Sequence, residues 1–167
     1  MILTDTHSHL YAKEFDEDID DAIQRCLDKN IQRIFLPNID STSTDSMLTL
    51  VKKYSENLFP MMGIHPCSIG ENYKEELDHA KTHLENGNFC AIGEIGIDLY
   101  WDKTFLKEQQ DAFRTQIKWA KEMRLPIVIH ARDSFQEIFE IVDEENDESL
   151  TGIFHCFTGG VKEANKI

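Results

Sequence analysis

Residues 126–133 read PIVIHARD. Pro126 stops the helical pattern before it, three branched apolar residues follow, and His130 closes a run that reads as a buried strand. The same plan recurs along the chain. Short apolar runs stand at ILT (2–4), RIFLP (33–37), LFPMMG (58–63), CAIG (90–93), PIVIH (126–130) and LTGIFH (150–155). Behind the first come His7 and His9, in TDTHSHL. His65 follows the third in MGIHP, Glu94 the fourth in IGEIGID, and His155 ends the sixth.

Between these runs the apolar spacing is helical. Ile19, Ala22, Ile23, Cys26 and Leu27 form one stripe, and Leu77, Ala80 and Leu84 repeat it. A longer helix is traced by Phe105, Gln109, Ala112, Phe113, Gln116, Ile117, Ala120 and Met123, and another by Phe135, Ile138, Phe139 and Val142. A unit of roughly 30 residues suits a strand with a returning helix. Such units predict parallel strands with helices outside.

A doubly wound sheet and a (β/α)8 barrel both fit this rhythm. The polar residues decide between them. A barrel gathers the C-terminal ends of all its strands at one mouth, whereas an open sheet sets the first and last far apart. The expected fold is therefore an α/β (β/α)8 TIM barrel. A complete barrel takes about 250 residues, so residues 1–167 are expected to be one barrel domain, present as about its first six units and truncated before strands seven and eight.

Composition narrows the function. Apolar residues make up 41% and charged residues 29%, as in ordinary globular proteins. With 31 acidic and 17 basic residues, the net charge of −14 argues against broad binding to a phosphate backbone. It leaves open a local site where metal ions supply the positive charge. The acidic runs at 16–21 and 143–148 read as solvated helix surface. No apolar run reaches membrane-spanning length and no signal sequence is visible, so a cytoplasmic location is the default, with no membrane association. The four scattered cysteines read as reduced thiols.

The candidate ligands follow from geometry. Side chains at i and i+2 of a strand share a face, so His7 and His9 stand side by side, and neutral imidazole is a common metal ligand. Two ligands do not make a site, but Glu94, His130 and His155 supply three more. Each has a plainer reading. His65 can cap a turn before Pro66, Glu94 can bind a helix N-terminus, and His130 and His155 can be satisfied core histidines. Five such residues at strand ends favour a metal site. His79 and His83 fall in a helix and read as surface. Cys156 points away from His155 in a strand and is not counted. Asp5 faces the same way as His7 and suits orienting a ligand from behind. His65 and Arg132 are the candidates for contacting an anionic substrate, although Arg132 equally suits a surface ion pair. Imidazoles with one carboxylate favour zinc or manganese over magnesium.

DTHSHL, MGIHP, IGEIGID followed by LYW, LPIVIHARD and FHCFTG resemble, in order, the signature segments of the TatD family of metal-dependent deoxyribonucleases, members of the amidohydrolase superfamily of (β/α)8 barrels. The resemblance runs from Asp5 to Gly159, and Gln109, Phe113 and Gln116 share it. It implies a site for two divalent ions, with zinc, manganese or magnesium admitted: His7 and His9 on one, His130 and His155 on the other, Glu94 bridging both. It also implies a general-base aspartate at the end of an eighth strand, expected beyond Ile167. The implied reaction is phosphodiester hydrolysis of DNA, exonucleolytic at single-stranded ends, with no obligate protein partner. The alternative is a small-molecule amidohydrolase or phosphoesterase on the same barrel. A non-catalytic fragment is the third possibility.

Overall fold

The structure, a computed structural model, describes residues 1–167. Its parallel strands are β1 (Leu3–Asp5), β2 (Ile31–Pro37), β3 (Leu58–Met61), β4 (Ile92–Asp98), β5 (Ile127–Arg132) and β6 (Gly152–Phe154). The helices that follow them are α1 (Ile19–Asp28), α2 (Ser41–Lys53), α3 (Tyr73–Asn86), α4 (Leu106–Met123), α5 (Phe135–Glu145) and the single turn α6 (Val161–Ala164).

The strands pair as two three-stranded parallel sheets, β1-β2-β3 and β4-β5-β6. A narrow seam joins them. It has one isolated parallel bridge, Met62 to Ile92, with backbone bonds from Met62 N to Ala91 O (3.2 Å) and from Gly93 N to Met62 O (3.0 Å). Spatial order therefore follows chain order without the reversal that defines a doubly wound sheet. These residues form an α/β arc of two sheets rather than a closed eight-stranded barrel.

The main core lies between strands and helices, where Ile34, Leu36, Ile92, Ile95, Ile97 and Ile129 meet Ile23, Met47, Phe113, Ile117 and Ile138. A small second cluster, Met61, Ala91 and Val128, is packed by Phe35 and Cys90. Every residue of β4 is buried, as expected for a parallel strand covered on both faces. Two glutamines on the buried face of α4 serve the sheet. Gln109 bonds the backbone of Asp98 (N to Oε1, 2.9 Å) and Gln116 the backbone of Ile64 (N to Oε1, 2.8 Å), satisfying polar groups that have no ladder partner. This accounts for polar residues at core positions of the helical stripe.

Two readings need correction, and one helix was not foreseen. β4 and β5 run on to Asp98 and Arg132, so Glu94 and His130 lie within their strands rather than at the ends. Helix α2 is not announced by an apolar stripe; it begins STSTDS, with Asp40 accepting from Thr42 N in a capping box with Ser43. His79 and His83 are half-buried rather than on the surface; His79 Nε2 lies 3.1 Å from the hydroxyl of Thr44 on α2, and the two rings lie 4.6 Å apart. The acids at 16–21 are all exposed, as expected, and the four cysteines are free.

Candidate metal centre

β1 ends at Asp5, so His7 and His9 lie beyond it and are brought together outside the strand expected to align them, with ring centroids 5.1 Å apart. Asp5 accepts from His7 N through Oδ1 (3.1 Å), and Ser8 N donates to Phe35 O (3.0 Å), pinning the HSH segment over β2. Asp5 thus orients the backbone of His7 and not its ring. His9 Nδ1 lies 2.8 Å from the Tyr11 hydroxyl, whose proton goes to the carbonyl of Pro37. That hydroxyl accepts from His9, so Nδ1 carries the proton and Nε2 keeps its lone pair.

Glu94, 3% exposed, is the centre of the cluster. Its Oε2 lies 3.0 Å from His7 Nε2 and 3.9 Å from His65 Nε2, and its Oε1 lies 3.0 Å from His130 Nδ1. Two groups of ligand atoms gather within 4.8 Å of one another: His7, His9 and Glu94, and His65, Glu94 and His130. His155 belongs to neither, but its ring stacks on His7 with centroids 3.4 Å apart.

The electrostatics suit a cation. Burial alone would raise the Glu94 carboxyl, but the His130 and His7 imidazoles beside it hold it well below the usual carboxylate range. Burial lowers His9, with the neighbouring His7 adding to it, and does the same for His155. Burial brings His65 down to about 4. At neutral pH these groups are a carboxylate and neutral imidazoles, the forms that bind metal. His130 differs. Burial would lower it, but bonds to Glu94 and Asp98 raise it.

The donor set fits a divalent ion on one further observation. Both ring nitrogens of His7 are buried and have no hydrogen-bond partner, and the 3.0 Å approach of Nε2 to Glu94 lacks hydrogen-bond alignment. An imidazole stranded in this way is costly unless a cation takes a lone pair. His65 is a poorer ligand than its position suggests. Its Nδ1 accepts from Cys67 N (3.1 Å) and caps the turn at Pro66–Ser68, which leaves the proton on Nε2. That nitrogen is a donor for an anion and not a lone pair for a cation.

Asp98 was missed by the sequence reading. Its Oδ2 lies 2.8 Å from His130 Nε2, while Oδ1 accepts from the backbone of Tyr100 (3.0 Å) and Trp101 (3.3 Å). The period of two in IGEIGID, from Glu94 through Gly96 to Asp98, was the available signal. Arg132 forms no ion pair. Its guanidinium stacks over the Tyr100 ring at 3.9 Å, with Trp101 at 5.3 Å.

Comparison with known proteins gives a consistent picture. A family profile described as "TatD related DNase" matches residues 4–167. The uncharacterized metal-dependent hydrolase YabD of Bacillus subtilis is 34% identical over 165 residues, covering 99% of this chain and 64% of its own length. An uncharacterized metal-dependent hydrolase of Methanocaldococcus jannaschii is 31% identical over 171 residues, with 98% and 62% covered. Among solved structures, the TatD homologue YjjV of Escherichia coli superposes with a TM-score of 0.89 at 26% identity, covering 98% of this chain and 63% of that one. The chain thus spans less than two thirds of these relatives.

Proposed function

From its membership of the TatD-related DNase family, to which this chain belongs, we propose that it is a metal-dependent hydrolase that cleaves phosphodiester bonds of DNA, working inward from single-stranded ends. Its six strand–helix units are, on this reading, one domain and an arc of a (β/α)8 barrel. The observation that carries the proposal is Glu94, a buried carboxylate that gathers His7 and His9 on one side and faces His130 on the other.

His7 and His9 would hold one ion, His130 and His155 the other, with Glu94 between them; zinc or manganese suits these donors best, and magnesium is admitted. Bound ions would supply charge neutralisation at the phosphate and a water acidic enough to attack near neutral pH. The protein's own groups do the rest. Tyr11 fixes the His9 tautomer, Asp98 holds the His130 ring, and the Nε2 proton of His65 is presented to a phosphate oxygen beside Glu94. Arg132, free of carboxylate partners, is a second phosphate contact. DNA held only at its end is compatible with the net charge of −14.

That charge also favours a second reading, hydrolysis of a small ester, amide or phosphate at the same site. No helix is long and apolar enough to cross a membrane, and the free thiols agree with the cytoplasm as the proposed location. The test is turnover of a single-stranded oligonucleotide beside p-nitrophenyl esters and phosphates, with zinc, manganese or magnesium and again with chelator. Metal-dependent shortening of the oligonucleotide supports the nuclease. Turnover of only the small substrates supports the second reading, and no metal-dependent turnover of either overturns both.

A further inference from the structure

The β4–α4 loop carries two large aromatic side chains that the protein does not bury. Tyr100 is 53% exposed and Trp101 70% exposed, in consecutive positions, with rings edge to face and centroids 4.8 Å apart. Neither belongs to the hydrophobic core or packs against it. The loop nonetheless has a fixed place. Asp98 Oδ1 takes the backbone N–H of both residues, and Leu99 N donates to Arg132 O at 2.9 Å. The other oxygen of Asp98 bonds His130. One carboxylate therefore ties the aromatic pair to the candidate metal centre.

Arg132 completes the arrangement. Arg25 pairs with Asp18 and Arg114 with Glu144, whereas Arg132, like Arg33 and Arg124, has no carboxylate within ion-pair reach; of these three it is the one that lies beside the candidate centre, on the strand of His130. It shares a strand face with His130, two residues back, and its guanidinium carbon sits 3.9 Å from the centre of the Tyr100 ring. Its guanidinium edge keeps its N–H donors free, the pattern that suits phosphate oxygens.

We propose that Tyr100, Trp101 and Arg132 form a nucleotide subsite beside the metal centre, the aromatic rings stacking an unpaired base and Arg132 taking its phosphate. Each base has a π-face, so stacking tolerates sequence while requiring a base that has left the duplex. The subsite thus selects frayed or single-stranded ends. It would also supply affinity that a net charge of −14 denies to a broad basic groove. The inference rests on the nuclease reading for its setting, and its test separates the two.

Two tryptophans are present, and Trp119, on α4, lies against the core with Lys81 5.4 Å from its ring. A Trp119→Phe protein therefore reports Trp101 fluorescence alone. We expect saturable quenching by deoxyadenosine monophosphate, and binding of deoxyribose 5-phosphate about tenfold weaker or worse, the discrimination expected of one stacked base. Arg132→Gln should weaken both ligands. In parallel, oligonucleotides ending in a normal or an abasic residue are compared for metal-dependent turnover. The unmodified protein and Trp101→Phe should prefer the normal end about tenfold, and Trp101→Ala should bring the preference to within about twofold. Base-selective quenching without DNA turnover supports the subsite and fails the nuclease reading. Turnover with no quenching and no preference between ends overturns the subsite and leaves the nuclease reading intact. Absence of both quenching and turnover overturns the subsite as well.

Discussion

Replacing Asp98 by Asn should loosen metal binding without unfolding the protein. The side chain is 2% exposed, and its Oδ2 sits 2.8 Å from Nε2 of His130, whose other nitrogen faces Glu94. A carboxylate behind a ligand histidine fixes which nitrogen carries the proton and raises the basicity of the other. A hydrogen bond to a charged group contributes about 1.5–3 kcal/mol, and a neutral one roughly half of that. Asparagine preserves the shape and the acceptor but not the charge, so the loss should be about 0.75–1.5 kcal/mol. At 1.4 kcal/mol per decade this is roughly 3- to 12-fold in metal affinity. The assay is competition for zinc or manganese against a chelator of known affinity, with the melting temperature of the metal-free protein as the control on folding. An affinity within about twofold of the original, in a variant that melts normally, would refute the reasoning and show that Asp98 serves only the loop backbone.

Glu94→Ala removes the carboxylate common to both ligand groups; elemental analysis should find the metal content of the original protein lost, and retention of a full complement would sink the proposed centre. Gly96 has φ of +142°, and a Cβ there would lie 2.1 Å from the carbonyl oxygen of His130. Gly96→Ala therefore combines backbone strain with overpacking, each about 1–3 kcal/mol, and denaturant melts should show a loss of about 2–5 kcal/mol; a loss below 1 kcal/mol would mean that β4 and β5 part freely. Burial pushes the Cys90 thiol up to about 11. Its alkylation at pH 8 should be about 200-fold slower than that of an ordinary thiol and should rise about tenfold per pH unit toward 11. Because the folded value is the raised one, the stabilising effect of keeping Cys90 protonated is complete below about pH 8.5 and disappears as pH climbs through 11; mass-spectrometric labelling rates that match a free thiol at pH 8 would contradict this.

Much of the arc was visible in the sequence because buried parallel strands write themselves as apolar runs, and α1, α4 and α5 as stripes. Helix α2 was not. Its buried residues are Thr44, Met47 and Leu50, and its first turn is a string of hydroxyl side chains that reads as loop until the capping box of Asp40 and Ser43 is seen. Strand ends were harder to place than strands. The glycines and acids of IGEIGID look like the close of a strand, yet all seven residues are buried within it. The histidine cluster was legible from its recurrence behind successive strands. The role of His65 was not, since it depends on a tautomer set by Cys67 N, and Asp98 lay hidden as the second acid of a motif whose first acid drew attention.

The seam between β3 and β4 gives the centre a mechanical meaning. Only a single bridge and a few backbone bonds cross it, so it is the joint at which the sheet should breathe most readily. The first ligand group straddles it, with His7 and His9 from the first sheet's side and Glu94 from the second. A cation held there would act as a rivet between the two halves. Opening the joint would then require releasing the ion, so the amide protons of Met62 and Gly93 should exchange with solvent at a rate set by free metal concentration. At a hundredfold excess over the dissociation constant the linkage is about 2.7 kcal/mol, close to a hundredfold slowing of exchange.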